Sequence, residues 1–578
     1  MRFTNQVQKK NKKNNHALLI TGFWMVILVL AVYSRLFQLN RIPFDTLEAR
    51  YVLEILNLHD GNVFAFANPL GFSFIKALLV VFENQPWVFR FIPSLSGIAI
   101  VLLPFFLRHH LGEFIPLGLS VLFLLDPFLA GNSRLVYGYA FPFLCLFFLL
   151  LSILNKRPTW IGIWIGFGLS SGWRFLYIGI FFVFAIALFI NLFKGDQILR
   201  KTLNKYRSAI DLKLILLGFI YSVGSYFLIS AMTGSTPLAI LNQLPIPTNT
   251  IIIEAGYIDQ FSVKLLNLLS YAFPLWMAGM VFGFIGIGNR NKTLAFFLLI
   301  QVIATFMVLL IPFCTALDMF FAILPAIVNA VLGMEKLFKD YKFVDVKSFS
   351  ISIIVLIVLT AFIWLNLLRI LSTSWNSQVV WGALFSILIA VALAIVIFLF
   401  IMQFGKVVII NYSIWGTVVI FLILFQIASV SRITGISSNP TQEIMLSGNA
   451  CSGMNDLKNV LVEVRNINLS KGNIDQIDIS SELPCELYTL STLGITPGDT
   501  NSIKVQTPIV ISANSRFDPQ DTTYAGMTLS SNAYPAWKEQ GLHALTDVNY
   551  WRWLFLRQGK LTQSFSYLWI KNEFLQYK

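Results

Sequence analysis

The sequence predicts an all-α polytopic membrane bundle with a small α/β domain at its C-terminal end. Three observations predict this. First, the chain has 578 residues, of which 56% are hydrophobic and only 12% charged, with a mean hydropathy of +0.72. A water-soluble chain of this length would expose far more polar surface. Second, apolar runs recur from Ala17 to Val430, and at about 20 residues each they are long enough to cross ~30 Å of hydrocarbon. Third, Asn, Ser, Thr, Asp and Pro dominate after Val430, so the last stretch is of a different kind.

The N-terminal residues 1–16 carry Arg2, Lys9, Lys10, Lys12 and Lys13. The apolar run 17–39 follows without a small-residue cleavage site, which reads as a retained anchor with its N-terminus in the cytoplasm. Residues 40–89 are too polar and broken for one ordinary span and form the first outer loop. Within it, Thr46 to Leu58 places Leu47, Tyr51, Ile55 and Leu58 between Glu48, Arg50, Glu54 and Asn57. That spacing predicts an amphipathic helix lying in the membrane interface. Asn68-Pro69-Leu70-Gly71 opens a second short helix, reaching about Phe82.

Twelve further spans are predicted: 90–107, 114–131, 139–154, 159–172, 174–193, 212–231, 263–287, 293–312, 318–335, 349–370, 378–402 and 407–430. With the first they make about 13 and complete a transmembrane domain over 17–430. Threaded alternately, they put Arg108, Lys156, Arg157, Arg200, Lys201, Arg290, Lys292, Lys336 and Lys406 inside. The opposite loop 233–262 holds Glu254 and Asp259 but no Lys or Arg. This bias orients the chain, and it accounts for the net charge of +14 without any nucleic-acid partner. An odd number of spans leaves residues 431–578 outside the cell membrane as a soluble domain. There Leu457 to Val464 reads as a helix, and Ile474 to Ile479 and Ile503 to Ile511 as strands. Tyr550 to Leu554 and Tyr567 to Ile570 are aromatic enough for either an interfacial belt or a core. Asn468-Leu469-Ser470 fits a glycosylation sequon.

The four cysteines divide by place. Cys145 and Cys314 lie in apolar helical runs and read as small buried residues. Cys451 and Cys485 lie in the outer domain, where an oxidising compartment makes a disulfide between them the expectation.

Candidate chemistry gathers on the outer face. Asp45 and Glu48, just past the first span, admit two readings. One is a general base for an acceptor hydroxyl or amine, with Arg50 beside it for phosphate. The other is a capping box, since an acid three residues after an Asx-type cap opens many helices. Arg134, Arg174 and Asp318 join them on that face; charges beside a bundle need a reason, and acids with arginines suit a phosphate-bearing lipid and an acceptor to be deprotonated. Asp126-Pro127 reads as a helix-bending turn or as a buried acid. Arg108-His109-His110 reads as a basic inner loop. No metal-ligand cluster, phosphate-binding glycine loop or soluble nucleotide domain is visible, so no metal site and no cofactor are assigned; dependence on a divalent metal stays open.

Several segments, in order, resemble the GT-C superfamily of membrane glycosyltransferases, closest to the branch of protein mannosyltransferase-like and aminoarabinose transferase-like proteins. Glu48-Ala49-Arg50-Tyr51 resembles the family's first-loop Asp-Glu-x-Arg-Tyr, with Leu47 standing where its aspartate aligns. Asn68-Pro69-Leu70 stands where the family has His-Pro-Pro-Leu or Lys-Pro-Pro-Leu. Phe89 to Gly97 resembles its Leu-Arg-Leu-Pro-Ser segment, and Asp126-Pro127 with Ser133-Arg134 its Ser-Pro and Ser-Arg pair. Where an outer-loop acid often follows, this chain has Tyr137 or Tyr139, and Leu317 or Asp318 replaces a later basic residue.

The resemblance implies inverting transfer of a sugar from a polyprenyl-phosphate donor to a protein, lipid or glycan acceptor at the outer face, with membrane lipids as further partners. Asp45 or Glu48 would be the base. Arg50, Asn68, Arg134, Tyr137, Arg174 and Asp318 would bind substrate, and the loop 233–262 would close over the lipid. Two rivals stand beside it. One is a GT-C-fold protein without catalysis that binds lipid-linked sugar or scaffolds glycan assembly. The other is a flippase or transporter, against which the uncharged span centres and the lack of an inverted repeat speak.

Overall fold

A computed structural model of the chain describes residues 2–40, 43–56, 69–82, 84–136, 138–192, 211–233, 261–289, 291–311, 314–340, 346–372, 377–404, 407–434, 450–451, 453–467, 477–479, 484–495, 497–498, 509–512, 523–556 and 560–575. Asn68, Tyr137, the loop stretch 234–260 and the sequon at Asn468 lie outside them.

All thirteen apolar runs are helical. Among the described residues, eight helices are long and apolar enough to cross a membrane, and a bent pair makes a ninth. Ala140–Leu154 and Pro158–Ser170 have 15 and 13 residues. At 1.5 Å per residue they rise only about 20 Å, short of the hydrocarbon thickness. Sequence reading counts each as a span because each is apolar between polar turns, although the predicted stretches 139–154 and 159–172 are hardly longer than the helices.

The predicted span 114–131 is not one helix. Phe114–Leu124 and Pro127–Arg134 meet at 60°, because Pro127 cannot continue the ladder and Asp126 starts a new helix by accepting the Leu129 N–H at 2.7 Å. Small residues set other contacts. A Cβ on Gly162 of Pro158–Ser170 would stand 1.9 Å from the Ile215 carbonyl of Leu212–Met232, and one on Gly218 would stand 2.1 Å from the Thr159 carbonyl. These two backbones touch, as small-residue packing in membranes allows.

The C-terminal domain is built on a six-stranded mixed sheet. Its strands are β1 (Ala450–Cys451), β2 (Ile477–Ile479), β3 (Pro497–Gly498), β4 (Ile509–Ser512), β5 (Tyr524–Pro535) and β6 (Leu561–Lys571), in the order β1-β5-β6-β4-β2-β3. β2 pairs in parallel with β3 and β4; the other pairings are antiparallel. The parallel pair β2–β3 needs a crossover, and the helix Pro484–Thr492 supplies it. Met454–Ile467 contains the predicted helix. The two predicted strands survive as β2 and β4, while the long β5–β6 pair was not foreseen, because its Ser- and Thr-rich alternation reads as loop.

This domain sits directly on the bundle. Leu53 of the first-loop helix Thr46–Ile55 belongs to the domain's own core, and Trp537, Tyr550 and Trp553 belong to the bundle's core with Phe128 and Tyr271. Tyr550 and Trp553 are therefore core residues, whereas Trp551 is half-exposed and stacks on Phe555. The first-loop helix is the main correction to the sequence reading. Eight of its ten residues are buried, so its polar face is covered by protein instead of headgroups. Its amphipathic pattern is real, but the charged side meets buried partners.

Candidate functional site

The first-loop helix begins with a capping box. Asp45 Oδ1 accepts the Glu48 N–H at 2.6 Å, and Glu48 Oε2 accepts the Asp45 N–H at 3.4 Å. Both carboxylates are fully buried. Glu48 is also the partner of Arg90: Nε donates to Oε1 at 3.0 Å and Nη2 donates to Oε2. The Val136 N–H adds a fourth donor, on Oε1 at 2.8 Å. Arg90 in turn donates from Nη1 to the Leu39 carbonyl at 2.7 Å and from Nη2 to the Pro43 carbonyl at 3.2 Å, and it lies over the Phe44 ring at 4.6 Å. The bidentate pair thus ties the loop, the helix Pro86–Leu102 and the chain after Arg134 together. Such geometry is what makes a buried ion pair tolerable.

Arg134 and Arg35 work at helix ends. Arg134 Nη1 donates to the Ser34 and Phe37 carbonyls, both at 3.0 Å, and Nη2 to the Gln38 carbonyl at 3.3 Å. It caps the C-terminal end of the first span. Arg35 Nη2 reaches the Phe123 and Leu124 carbonyls at 3.3 and 3.4 Å and so caps Phe114–Leu124, with the opposite charge of Asp126 acting on it. Cations at C-terminal ends and carboxylates at N-terminal ends complement the helix dipoles. The guanidiniums of Arg35, Arg90 and Arg134 and the carboxylates of Asp45, Glu48 and Asp126 are all buried.

A second constellation lies beside the first. Arg174 Nη1 donates to Asp318 Oδ1 at 2.6 Å, and its guanidinium stacks on the Tyr139 ring at 3.3 Å. Asp318 Oδ2 accepts from the Thr315 N–H at 2.6 Å and from its hydroxyl at 3.1 Å, closing a capping box on the short turn Ala316–Met319. Lys264, 1% exposed, donates to the Val308 and Ile311 carbonyls at 3.2 and 2.7 Å. Asn132 links the two constellations: its Nδ2 donates to the Leu317 carbonyl and its Oδ1 accepts the Tyr139 N–H, both at 3.1 Å. Gly138 is required here, because a Cβ would lie 1.8 Å from the Asn132 carbonyl.

The C-terminal domain roofs the first constellation. The Cys451 N–H donates to the Phe44 carbonyl at 2.9 Å, and the Tyr488 ring meets Phe44 edge-on with centroids 4.9 Å apart. Cys451 and Cys485 are joined as a disulfide, so both grips on Phe44 belong to one cross-linked unit. Burial pushes the Tyr488 hydroxyl well above its ordinary value; Arg90 pulls it back in part and Glu48 adds to it.

Of the residues singled out from sequence, Asp45, Glu48 and Arg134 lie in the first constellation and Arg174 and Asp318 in the second. Arg50 lies half-buried on the first-loop helix. Asn68 and Tyr137 lie outside the described residues. Arg35, Arg90, Lys264 and Tyr488 were not singled out as site residues. For Arg35 and Lys264 the signal was available, as each is a lone cation in an apolar run. Tyr488 carries no local signal.

Solved structures match this architecture across nearly its whole length. The ArnT of Cupriavidus metallidurans bound to undecaprenyl phosphate aligns over 90% of this chain and 96% of its own, at TM-score 0.50 and 10% identity. The chain has the ArnT fold. The apo form of the same ArnT aligns over 88% of this chain and 94% of its own, at TM-score 0.45 and 10% identity. No protein-family model matches the sequence, and no curated protein matches it. At this identity ArnT speaks for architecture, and that architecture is the one the GT-C resemblance implies: a polytopic helical bundle with a small sheet domain at its C-terminal end.

Proposed function

We propose that the protein is a membrane glycosyltransferase that takes a sugar from a polyprenyl-phosphate donor and passes it to an acceptor at the membrane face covered by the C-terminal domain. The observation that carries this is the roofed polar site: acids and arginines converge under the first-loop helix, within an ArnT-type bundle. Between the two first-loop carboxylates, the role of base falls to Asp45. Glu48 has four donors on its two oxygens and holds the fold. Asp45 Oδ1 caps the helix, and a carboxylate has about four acceptor positions, so a capping role does not by itself bar proton acceptance. An acceptor reaches Asp45 once the chain over Phe44 shifts. Donor phosphate falls to the Arg174 constellation and Arg50, since Arg134 is committed to helix carbonyls.

The rival reading, a lipid-linked-sugar binder without catalysis, draws support from Leu47, an apolar residue 4% exposed where the resembling family has its acid. Purified protein in nanodiscs, given a panel of polyprenyl-phosphate sugars, separates the two. Transfer from one donor that is lost in Asp45→Asn supports the enzyme. Saturable lipid binding with no transfer from any donor supports the binder, and neither binding nor transfer would overturn both.

A further inference from the structure

The C-terminal domain does more than cover the first-loop site. Tyr488, on the helix Pro484–Thr492, meets Phe44, whose ring the Arg90 guanidinium also contacts: the Phe44–Tyr488 centroids are 4.9 Å apart and Arg90 stands 4.6 Å from the Phe44 ring. The Tyr488 hydroxyl is buried and has no hydrogen-bond partner among the described residues. A buried hydroxyl left unpaired is costly, so folding alone gives no reason for the oxygen. Phenylalanine would fill the same space and make the same ring contacts. The helix that carries Tyr488 is tied by Cys485 to Cys451, whose N–H holds the Phe44 carbonyl. The Tyr488 ring is therefore held against the loop that presents Asp45.

We propose that Tyr488 is a substrate-binding residue contributed by the C-terminal domain, its hydroxyl hydrogen-bonding an oxygen of the lipid-linked sugar once the first loop shifts to admit that substrate beside Asp45. The inference rests on the function proposed above. It makes the domain part of the site, so that substrate binding and domain docking are coupled: the ligand oxygen supplies the partner that the hydroxyl lacks among the described residues.

The test is Tyr488→Phe in the full-length protein in nanodiscs. Thermal unfolding is measured without ligand, and KM and kcat are measured with the polyprenyl-phosphate sugar that the wild type uses. The expected result is an unchanged or raised Tm, with KM for the donor about 3- to 10-fold higher, the loss of one neutral hydrogen bond, and kcat changed less. Ligand-induced stabilisation of the wild type by that donor should shrink in the variant. A wild type that turns over normally beside a Tyr488→Phe variant with the same KM overturns the inference and leaves the proposed function standing. A lower Tm without ligand also overturns it, because the hydroxyl would then serve the fold. A wild type that neither binds nor transfers any donor overturns the proposed function, and this inference with it.

Discussion

Asp45 and Glu48 stand three residues apart in one capping box, yet their substitution should have opposite consequences. Glu48→Gln leaves Arg90 buried without its counter-charge, and breaking a buried pair from one side costs about 3–5 kcal/mol. The variant should show a large loss of Tm or of folded yield, whatever its chemistry. Asp45→Asn keeps a capping oxygen, and Asn caps nearly as well as Asp. Its Tm should barely move, while turnover falls by about 100-fold or more if Asp45 takes the acceptor's proton. Thermal unfolding and a transfer assay run on both variants check this. Full turnover in Asp45→Asn would remove the base from this residue.

Helix packing decides the outcome at the level of elements. The contact between Pro158–Ser170 and Leu212–Met232 depends on Gly162 and Gly218, each facing a carbonyl of the other helix too closely for any Cβ. Gly162→Ala should therefore push the two helices apart and lower stability by about 1–3 kcal/mol, as overpacking does. Gly22→Ala, in the first span, meets nothing within 4 Å and should be neutral or slightly stabilising. Comparing the two Tm values separates backbone contact from a general effect of alanine. The broken helix at Asp126-Pro127 follows the same logic. Its two halves each need a polar cap, and Asp126 and Arg35 supply them from opposite sides of the break.

Over the whole molecule, the C-terminal domain and the bundle stand or fall together. The disulfide Cys451–Cys485 spans 34 positions and in the chain-entropy model stabilises by about 3–4 kcal/mol. Reduction should lower the domain's Tm and weaken the grip on Phe44; equal melting curves with and without reductant would contradict this.

Glu486, next to the disulfide, gives the domain a pH dependence. Its carboxyl is fully buried, which raises its pKa; Ser531 and Ser566 offset part of that, though neither makes a hydrogen bond of good geometry with it. A carboxyl whose folded pKa is raised contributes its full stability below the ordinary carboxylate value and loses it as pH rises through the folded one. Domain stability should therefore fall from weakly acidic toward alkaline pH, and Glu486→Gln should flatten that slope and raise Tm most at pH 8. A slope unchanged in Glu486→Gln would place the dependence elsewhere.

Much of this was legible in the chain itself. Apolar runs of span length declare a helical bundle, because only helices satisfy the backbone within hydrocarbon. The compositional break after Val430 declares a separate domain, and the capping pattern Asp45-x-x-Glu48 declares a helix start, since these signals depend on neighbours in sequence. The pairing of Glu48 with Arg90, 42 positions away, was not legible, nor was the commitment of Arg134 to the first span. A charge in sequence carries no record of its counter-charge. The same limit hid Tyr488, whose place beside Phe44 exists only once the C-terminal domain docks. The sequence determined which residues are polar in an apolar chain. The tertiary structure decided which of them hold the fold, because burial and partners are settled only when distant segments meet.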